Sequence, residues 1–245
     1  MSRRIVIAAV VVVAGLVAAI VAFAVSRSTS NTRTASPPIP TLPPPVDFVD
    51  RIDHPFFPLE PGTTFTYTGQ SDGAPQKVTV LVTHKTKTIL GIDATVVLDQ
   101  VLIDGKPEEK TWDWYAQDSD GNVWYLGEDS FDYVNGKWVR SDGSWQAGVD
   151  RAKAGIIMEA RPHVGDVYRQ EYYVGHAEDM AKVIDTNGAV TVPFGSFDHP
   201  FATSEWTPLE KGIVEHKYYA RGVGNVRTVM VKGGSEDELL LSVTH

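Results

Sequence analysis

KVTVLV at residues 77–82, ATVVLD at 94–99 and TWDWY at 111–115 are the stretches that decide the fold of this chain. In the first, Val78, Val80 and Val82 alternate with Lys77, Thr79 and Leu81. In the second, Ala94, Val96 and Leu98 alternate with Thr95, Val97 and Asp99. In the third, Trp112 and Trp114 alternate with Thr111, Asp113 and Tyr115. A period of two belongs to strands with one buried and one wetter face. Turn dipeptides punctuate the pattern: Asp72-Gly73, Asp104-Gly105, Asp120-Gly121, Asn135-Gly136, Asp142-Gly143, Asn187-Gly188 and Gly233-Gly234. Asp-Gly and Asn-Gly supply the positive φ angles of tight hairpins. Successive hairpins predict an all-β, mainly antiparallel meander: a curved sheet, half-barrel or sandwich. Residues 145–160, with Ala147, Val149, Ala152, Ile156 and Ile157 around Gly148 and Gly155, read as a short helix or structured loop.

Ahead of the strands lies Ile5 to Val25, IVIAAVVVVAGLVAAIVAFAV, about 21 residues without a polar side-chain atom. That length crosses the ~30 Å hydrocarbon core of a bilayer as one helix. Arg3 and Arg4 precede it, so the short tail is expected in the cytoplasm and the bulk of the chain outside. The competing reading is a signal peptide cleaved near Ala22-Phe23-Ala24, which would leave a secreted protein. Arg3-Arg4 is also a faint twin-arginine pattern. Ser26 to Pro45, SRSTSNTRTASPPIPTLPPP, is too poor in apolar groups to fold and reads as a spacer. The expected organisation is an anchor or signal over 1–25, a disordered Ser/Thr/Pro-rich linker over 26–52, and one extracytoplasmic β domain over 53–245.

The first 45 residues hold four arginines and no acid, so removing them from a chain of formal charge −9 leaves −13 on the rest. Phosphate backbones and anionic headgroups would repel such a domain, so no nucleic-acid partner is expected. There is no cysteine, hence no disulfide and no lipid-modified N-terminus.

Val190-Thr191-Val192-Pro193-Phe194-Gly195-Ser196-Phe197 resembles a V-x-V-P-A-G-x-F signature, with Phe194 in place of the usual alanine. Tyr218-Tyr219-Ala220-Arg221-Gly222-Val223-Gly224-Asn225-Val226 resembles the Y-A-P-G-V-G-x-V segment that often follows, with Arg221 in place of proline. DWYAQDSDGNVWYLGE, residues 113–128, looks like a further block of the same proteins. Together they resemble an uncharacterised family of exported bacterial β-rich envelope proteins, many of them lipoproteins. The resemblance implies a curved antiparallel sheet broadly similar to the half-barrels of lipoprotein carriers, and no activity. Physically, Pro193-Phe194-Gly195 suits a bend into a new strand, and Gly222 and Gly224 suit a bulge or kink in a curved one.

Asp118-Ser119-Asp120-Gly121-Asn122 has the alternating oxygen ligands of a calcium loop, making Asp118, Asp120 and Asn122 weak metal candidates. The glutamate wanted at the loop's last position is Asp129, and a hairpin turn explains the same residues, so no metal is expected. Asp113, Asp118, Glu128, Asp129 and Asp132 lie among aromatic residues, as at carbohydrate sites where paired carboxylates work beside rings. Trp112, Trp114, Trp124 and Tyr125 are the corresponding weak ligand-binding candidates. His176, Glu178 and Asp179, with Glu171, His199 and His216, would need to converge to hold zinc, and no H-E-x-x-H spacing supports that. There is no G-x-S-x-G nucleophile and no phosphate-cradling glycine loop, and no cofactor is expected.

The expectation is a membrane-anchored extracytoplasmic β domain, more a binder than an enzyme, taking an apolar or amphipathic small molecule or an envelope partner. The alternatives are a carbohydrate-active hydrolase using acids within 113–132, and a purely structural or interaction module. The orientation is directly testable. An export-dependent reporter fused after His245 should be active, and should lose activity when several central valines of residues 5–25 become aspartate. Each such charge costs roughly 2.5–3.5 kcal/mol at a helix centre. Activity of a cytoplasm-only reporter at the same position would reverse the orientation.

Overall fold

The computed structural model describes residues 36–245. The expected membrane-spanning helix at 5–25 and the first part of the linker lie outside the described residues. Among those described there is no α-helix, only one 3-10 turn at Pro45–Asp47, and no helix long and apolar enough to cross a membrane.

The chain opens with three two-residue strands, β1 (Phe48–Val49), β2 (Asp53–His54) and β3 (Phe57–Pro58). Five long strands follow by hairpins: β4 (Thr64–Ser71), β5 (Ala74–Ile89), β6 (Ile92–Ile103), β7 (Lys106–Asp118) and β8 (Val123–Val134). Then come β9 (Lys137–Arg140), β10 (Trp145–Gln146), β11 (Lys153–Met158), β12 (Val167–Arg169), β13 (Glu171–Tyr172) and β14 (Met180–Asp185). A separate hairpin, β15 (Ala189–Val192) and β16 (Gly195–Asp198), precedes β17 (Phe201–Trp206), β18 (Val214–Ala220), β19 (Gly224–Lys232) and β20 (Glu236–Thr244).

One antiparallel sheet runs in the order β12-β14-β17-β18-β19-β20-β4-β5-β6-β7-β8-β11-β13. Its two ends, β12 and β13, are separated in sequence by Gln170 alone. The segment 167–172 therefore pairs with β14 through Val167–Arg169 and with β11 through Glu171 and Tyr172. This seam makes the sheet a nearly closed barrel, the geometry in which a twisted meander loses its exposed edges. Gly155 permits the closure: a Cβ there would stand 2.2 Å from the Gln170 carbonyl oxygen.

Four connections are two-residue turns with positive φ at both positions: Asp72-Gly73, Leu90-Gly91, Asp104-Gly105 and Asn135-Gly136. Leu90-Gly91 escapes sequence reading, because a γ-branched leucine is an uncommon residue in the left-handed region. The other expected dipeptides sit in longer connections.

Several expectations need correction. Residues 36–52 are not a free linker. The Pro37 carbonyl accepts a hydrogen bond from Arg169 Nε, β1 pairs with β7, and Ile52 is buried in the core. The packed chain thus begins before Asp53, because polyproline-type backbone can lie on a surface that supplies donors. Residues 145–160 form no helix; β10 and β11 continue the barrel wall beside β8. Pro193-Phe194 is the turn of the β15–β16 hairpin. Gly222 lies in the turn between β18 and β19 and Gly224 opens β19, while the register shift of that pair falls at Tyr218/Tyr219. The inward faces also differ from the simplest reading. Val97 and Asp99 face the barrel interior on β6, whereas Ala94 and Val96 are buried on its outside.

The seam gives a sharp test. Gly155→Ala should destabilise the barrel by about 1–3 kcal/mol, the usual cost of forcing atoms into packed space, or prevent closure altogether. Chemical denaturation monitored by circular dichroism reads it. An unchanged midpoint would show that the seam opens freely.

Candidate functional site

Closing a sheet commits every second side chain of each strand to the interior, and in this chain many of those positions are acidic. Asp99 on β6, Glu109 and Asp113 on β7, Glu128 on β8, Glu205 on β17, Glu215 on β18, and Glu236 and Glu238 on β20 are all buried. Glu171 at the seam and Asp179 just before β14 bring the interior carboxyl groups to ten. Against them stands Lys217 on β18, the only buried lysine among the described residues.

Lys217 Nζ lies 2.9 Å from Glu205 Oε2. Glu205 Oε1 accepts hydrogen bonds from Thr203 Oγ1 at 2.7 Å and the Tyr219 hydroxyl at 3.3 Å. Burial alone would lower the lysine's pKa, but the carboxylates of Glu205 and Glu215 overcome it and hold the ammonium above its ordinary range. This is the interior's satisfied ion pair.

Burial drives the other acids towards the protonated form. The Tyr125 hydroxyl, with one hydrogen, lies 2.5 Å from Asp113 Oδ1 and 2.9 Å from Glu128 Oε2. It can donate to only one of them, so the other carboxyl must be the acid form donating to the phenol oxygen. Thr111 Oγ1 donates to Glu109 Oε1 at 3.0 Å and lies 3.0 Å from Ser130 Oγ, whose own hydrogen can complete the pair. Burial pushes Asp99 up to about 8, with the Asp113 charge adding to it. Burial pushes Asp113 to about 7 against the Tyr125 hydrogen bond and Lys217. It raises Glu215 to about 7 against Lys217, and Glu236 to about 8 with a contribution from Glu215 and opposition from the Gln76 amide. Glu109, Glu128, Glu171, Asp179 and Glu238 lie well above the carboxylate range for the same first reason, removal from water.

Towards one end of the barrel the lining turns aromatic. Tyr115 and Tyr125 stack with centroids 4.7 Å apart, and Phe201 and Tyr219 lie 5.8 Å apart. The β2–β3 hairpin folds over this end. Phe57 meets Tyr115 edge-on at 5.4 Å, and Phe56 reaches Phe201 at 5.7 Å. Backbone bonds from Leu59 N to Ile52 O and from Gly222 N to Pro55 O hold the hairpin down. His54 Nδ1 accepts from Phe56 N, so the ring hydrogen sits on Nε2 and is donated to the Glu159 carbonyl. That is the neutral tautomer, in keeping with burial lowering this histidine's pKa.

Beneath the hairpin is a cavity of about 80 Å³. Phe57, Leu59, Phe65, Val97, Tyr115 and Tyr219 form its apolar walls, and Asp99, Asp113, Lys217 and Glu238 its polar side. Glu238 is 1% exposed and neither of its carboxyl oxygens has a hydrogen-bond partner; Asp99 Oδ1 is likewise unpartnered. Buried polar atoms are paired as a rule, so these mark where the interior is incomplete by itself.

The four aromatic candidates do not gather. Tyr125 lies in the interior, while Trp112 and Trp114 alternate with inward-facing Asp113 and carry Lys85 and Lys87 over their rings on the outer side. Trp124 donates its indole hydrogen to Asp118 Oδ2 at 2.7 Å. The oxygens of Asp118 are further engaged by the Asn122 backbone and amide, so Asp118 and Asn122 brace the β7–β8 turn while Asp120 is exposed at its tip. Of the acids in 113–132, Asp113 and Glu128 share the interior, while Asp129 pairs with Arg140 outside. His176 stacks on Tyr173 at the surface while Glu171 and Asp179 point inward. Among the described residues, no group of three or more histidine or acidic side chains is arranged to hold a metal ion. The residues missed by sequence reading are Glu205, Glu215, Lys217, Glu236 and Glu238. For four of them a signal was present as charges at alternate positions, Glu215 and Lys217 in VEHKYYA and Glu236 and Glu238 in EDELLLSVT, but charged residues at every second position read as a solvated face.

The class is thus a nearly closed antiparallel β-barrel with a proton-bearing acidic interior and a capped cavity at its aromatic end. No family model matches the chain, and no curated protein matches it. Among solved structures it is similar to one described as a "putative lipoprotein" from Parabacteroides distasonis. That similarity has 14% identity and a TM-score of 0.38, over 77% of this chain and 98% of the other. A likeness that remote carries no statement about function.

The raised acids fix a pH dependence. The folded barrel retains protons that the unfolded chain releases above about pH 4, so unfolding releases protons and stability falls as pH rises. The loss should run from about pH 4 through the folded values near 7 for Asp113 and Glu215 and near 8 for Asp99 and Glu236, and continue as the more strongly raised acids ionise. Urea midpoints at pH 5, 6, 7 and 8 should decline in that order, with a shallower decline in Asp99→Asn. A midpoint that rises over this range would mean the interior acids are ionised in the native state.

Proposed function

We propose that this chain is a membrane-anchored extracytoplasmic barrel that binds a small amphipathic molecule in the cavity beneath the β2–β3 hairpin. The observation that carries the reading is the cavity's division into an aromatic wall and a set of buried ionisable groups, some lacking partners. Binding sites typically combine an apolar lining with a few fixed polar groups. The β2–β3 hairpin is the natural gate, because its Phe57 ring forms part of the cavity wall and packs on Tyr115. At about 80 Å³ the cavity holds only several waters or a compact headgroup. An apolar tail would therefore leave past the hairpin. The extracytoplasmic placement rests on the apolar run 5–25 and the arginines before it. If residues 1–25 are removed in the cell, the same domain is secreted and the binding proposal is unchanged.

Native mass spectrometry of the full chain, released from its own membranes, is the test. The wild-type protein should carry a small bound mass, and Val97→Trp, which fills the cavity from β6, should lose it without losing strand signal in circular dichroism. Bare wild-type protein in repeated preparations would leave the barrel as a structural or interaction module.

A further inference from the structure

The cavity holds an asymmetry that specifies the chemistry of its occupant. Its polar side has carboxyl oxygens in excess and a lysine already committed to Glu205. Glu238 contributes two oxygens without a donor, on a side chain 99% buried and lining the cavity, and Asp99 contributes a third. The walls around them are Phe57, Phe65, Tyr115 and Tyr219, whose ring faces attract cations once water is excluded.

We infer that the ligand is an organic cation, a primary ammonium on an apolar body, whose N–H groups are received by Glu238 and Asp99. This rests on the reading of the cavity as a ligand site. An ammonium brings three donors and no acceptor, the complement of oxygens that lack donors. A ligand carboxylate would add one more acid to an interior that already holds ten. A ligand hydroxyl offers a single donor and no charge. When the ammonium enters with its own protons, a carboxyl proton leaves to solvent, and the interior keeps its net charge. The ammonium and the new carboxylate then form a buried pair in the position where Glu238 and Asp99 now lack partners. The apolar body extends along Phe57 and Phe65 towards the β2–β3 hairpin.

The test uses the full chain in lipid nanodiscs, with empty nanodiscs as baseline, and titration calorimetry at pH 7.5 in two buffers of different ionisation heat. Hexylamine, hexan-1-ol, hexanoate and calcium chloride are the probes. Hexylamine should bind at least about tenfold more tightly than hexan-1-ol, the scale of a charge-assisted hydrogen bond, and release about one proton per molecule bound. Glu238→Gln should weaken hexylamine about tenfold and abolish proton release, with hexan-1-ol unchanged. Asp99→Asn should do the same in smaller measure and serves if Glu238→Gln fails to fold. Each replacement removes a group already held neutral, so the interior gains no charge. If hexan-1-ol and hexanoate bind as tightly as hexylamine, the preference for a cation is wrong while the cavity remains a ligand site. If no hexyl compound binds, both readings fall. Proton release on adding calcium, with none on adding hexylamine, would overturn the ammonium in favour of a metal ion.

Discussion

Electroneutrality of the barrel interior is the constraint on which the rest of the structure depends. Ten carboxyl groups and one lysine face one another in space from which water is largely removed. Two ionised carboxylates there would repel strongly at low effective dielectric, and each would lose its hydration. The interior therefore settles into one ion pair, Lys217–Glu205, and acids that keep their protons and share hydroxyl hydrogens with Tyr125 and Thr111. Hydrogen-bonding capacity drives the same outcome as electrostatics, since one phenol hydrogen cannot serve two carboxylates. A polar network of this kind fixes strand register as firmly as an apolar core, because slipping by one residue would move every acid to the outside.

Closure follows from the seam at 167–172, where Val167–Arg169 pair with β14 and, one residue on, Glu171 and Tyr172 pair with β11. The seam leaves no long edge at this point of the sheet, but it needs Gly155, where the Gln170 backbone passes too near for any side chain. The ends of the barrel are finished differently. At the aromatic end, β2 and β3 lie over the opening with Phe56 and Phe57 inserted among the rings. The cavity is what remains between that cap and the acids below it. Its lining thus comes from segments distant in sequence: the hairpin before β4, strands β4–β7, and strands β18–β20.

Sequence reading caught the alternation and most of the tight turns, because both are local: a pleated strand imposes a period of two, and a two-residue turn demands positive φ. Leu90-Gly91 was missed since leucine gives no such signal. Residues 145–160 misled because small apolar residues with two glycines suit a buried wall strand as well as a helix. On β6 and β7 the alternation alone does not say which face turns inward. Trp112 and Trp114 look like a core stripe beside Asp113, yet the tryptophans pack on the outside under lysine side chains while the acid goes in. Val-Pro-Phe-Gly and Gly-Val-Gly were read as bend and kink, and they are turns of neighbouring hairpins.

The sequence by itself determined that this chain is all-β and antiparallel, that its strands begin after a proline-rich stretch, and that residues 46–245 are acidic. It did so because those properties depend on residues near one another along the chain. Only the tertiary structure decided that the sheet closes, and closure is what turned acids at alternate positions from a solvated surface into an interior. Whether Glu238 meets water, a partner or a vacant space depends on strands β4–β7 and the hairpin over them, far away in sequence. No local pattern encodes such a meeting, so the fold class was legible and the candidate site was not.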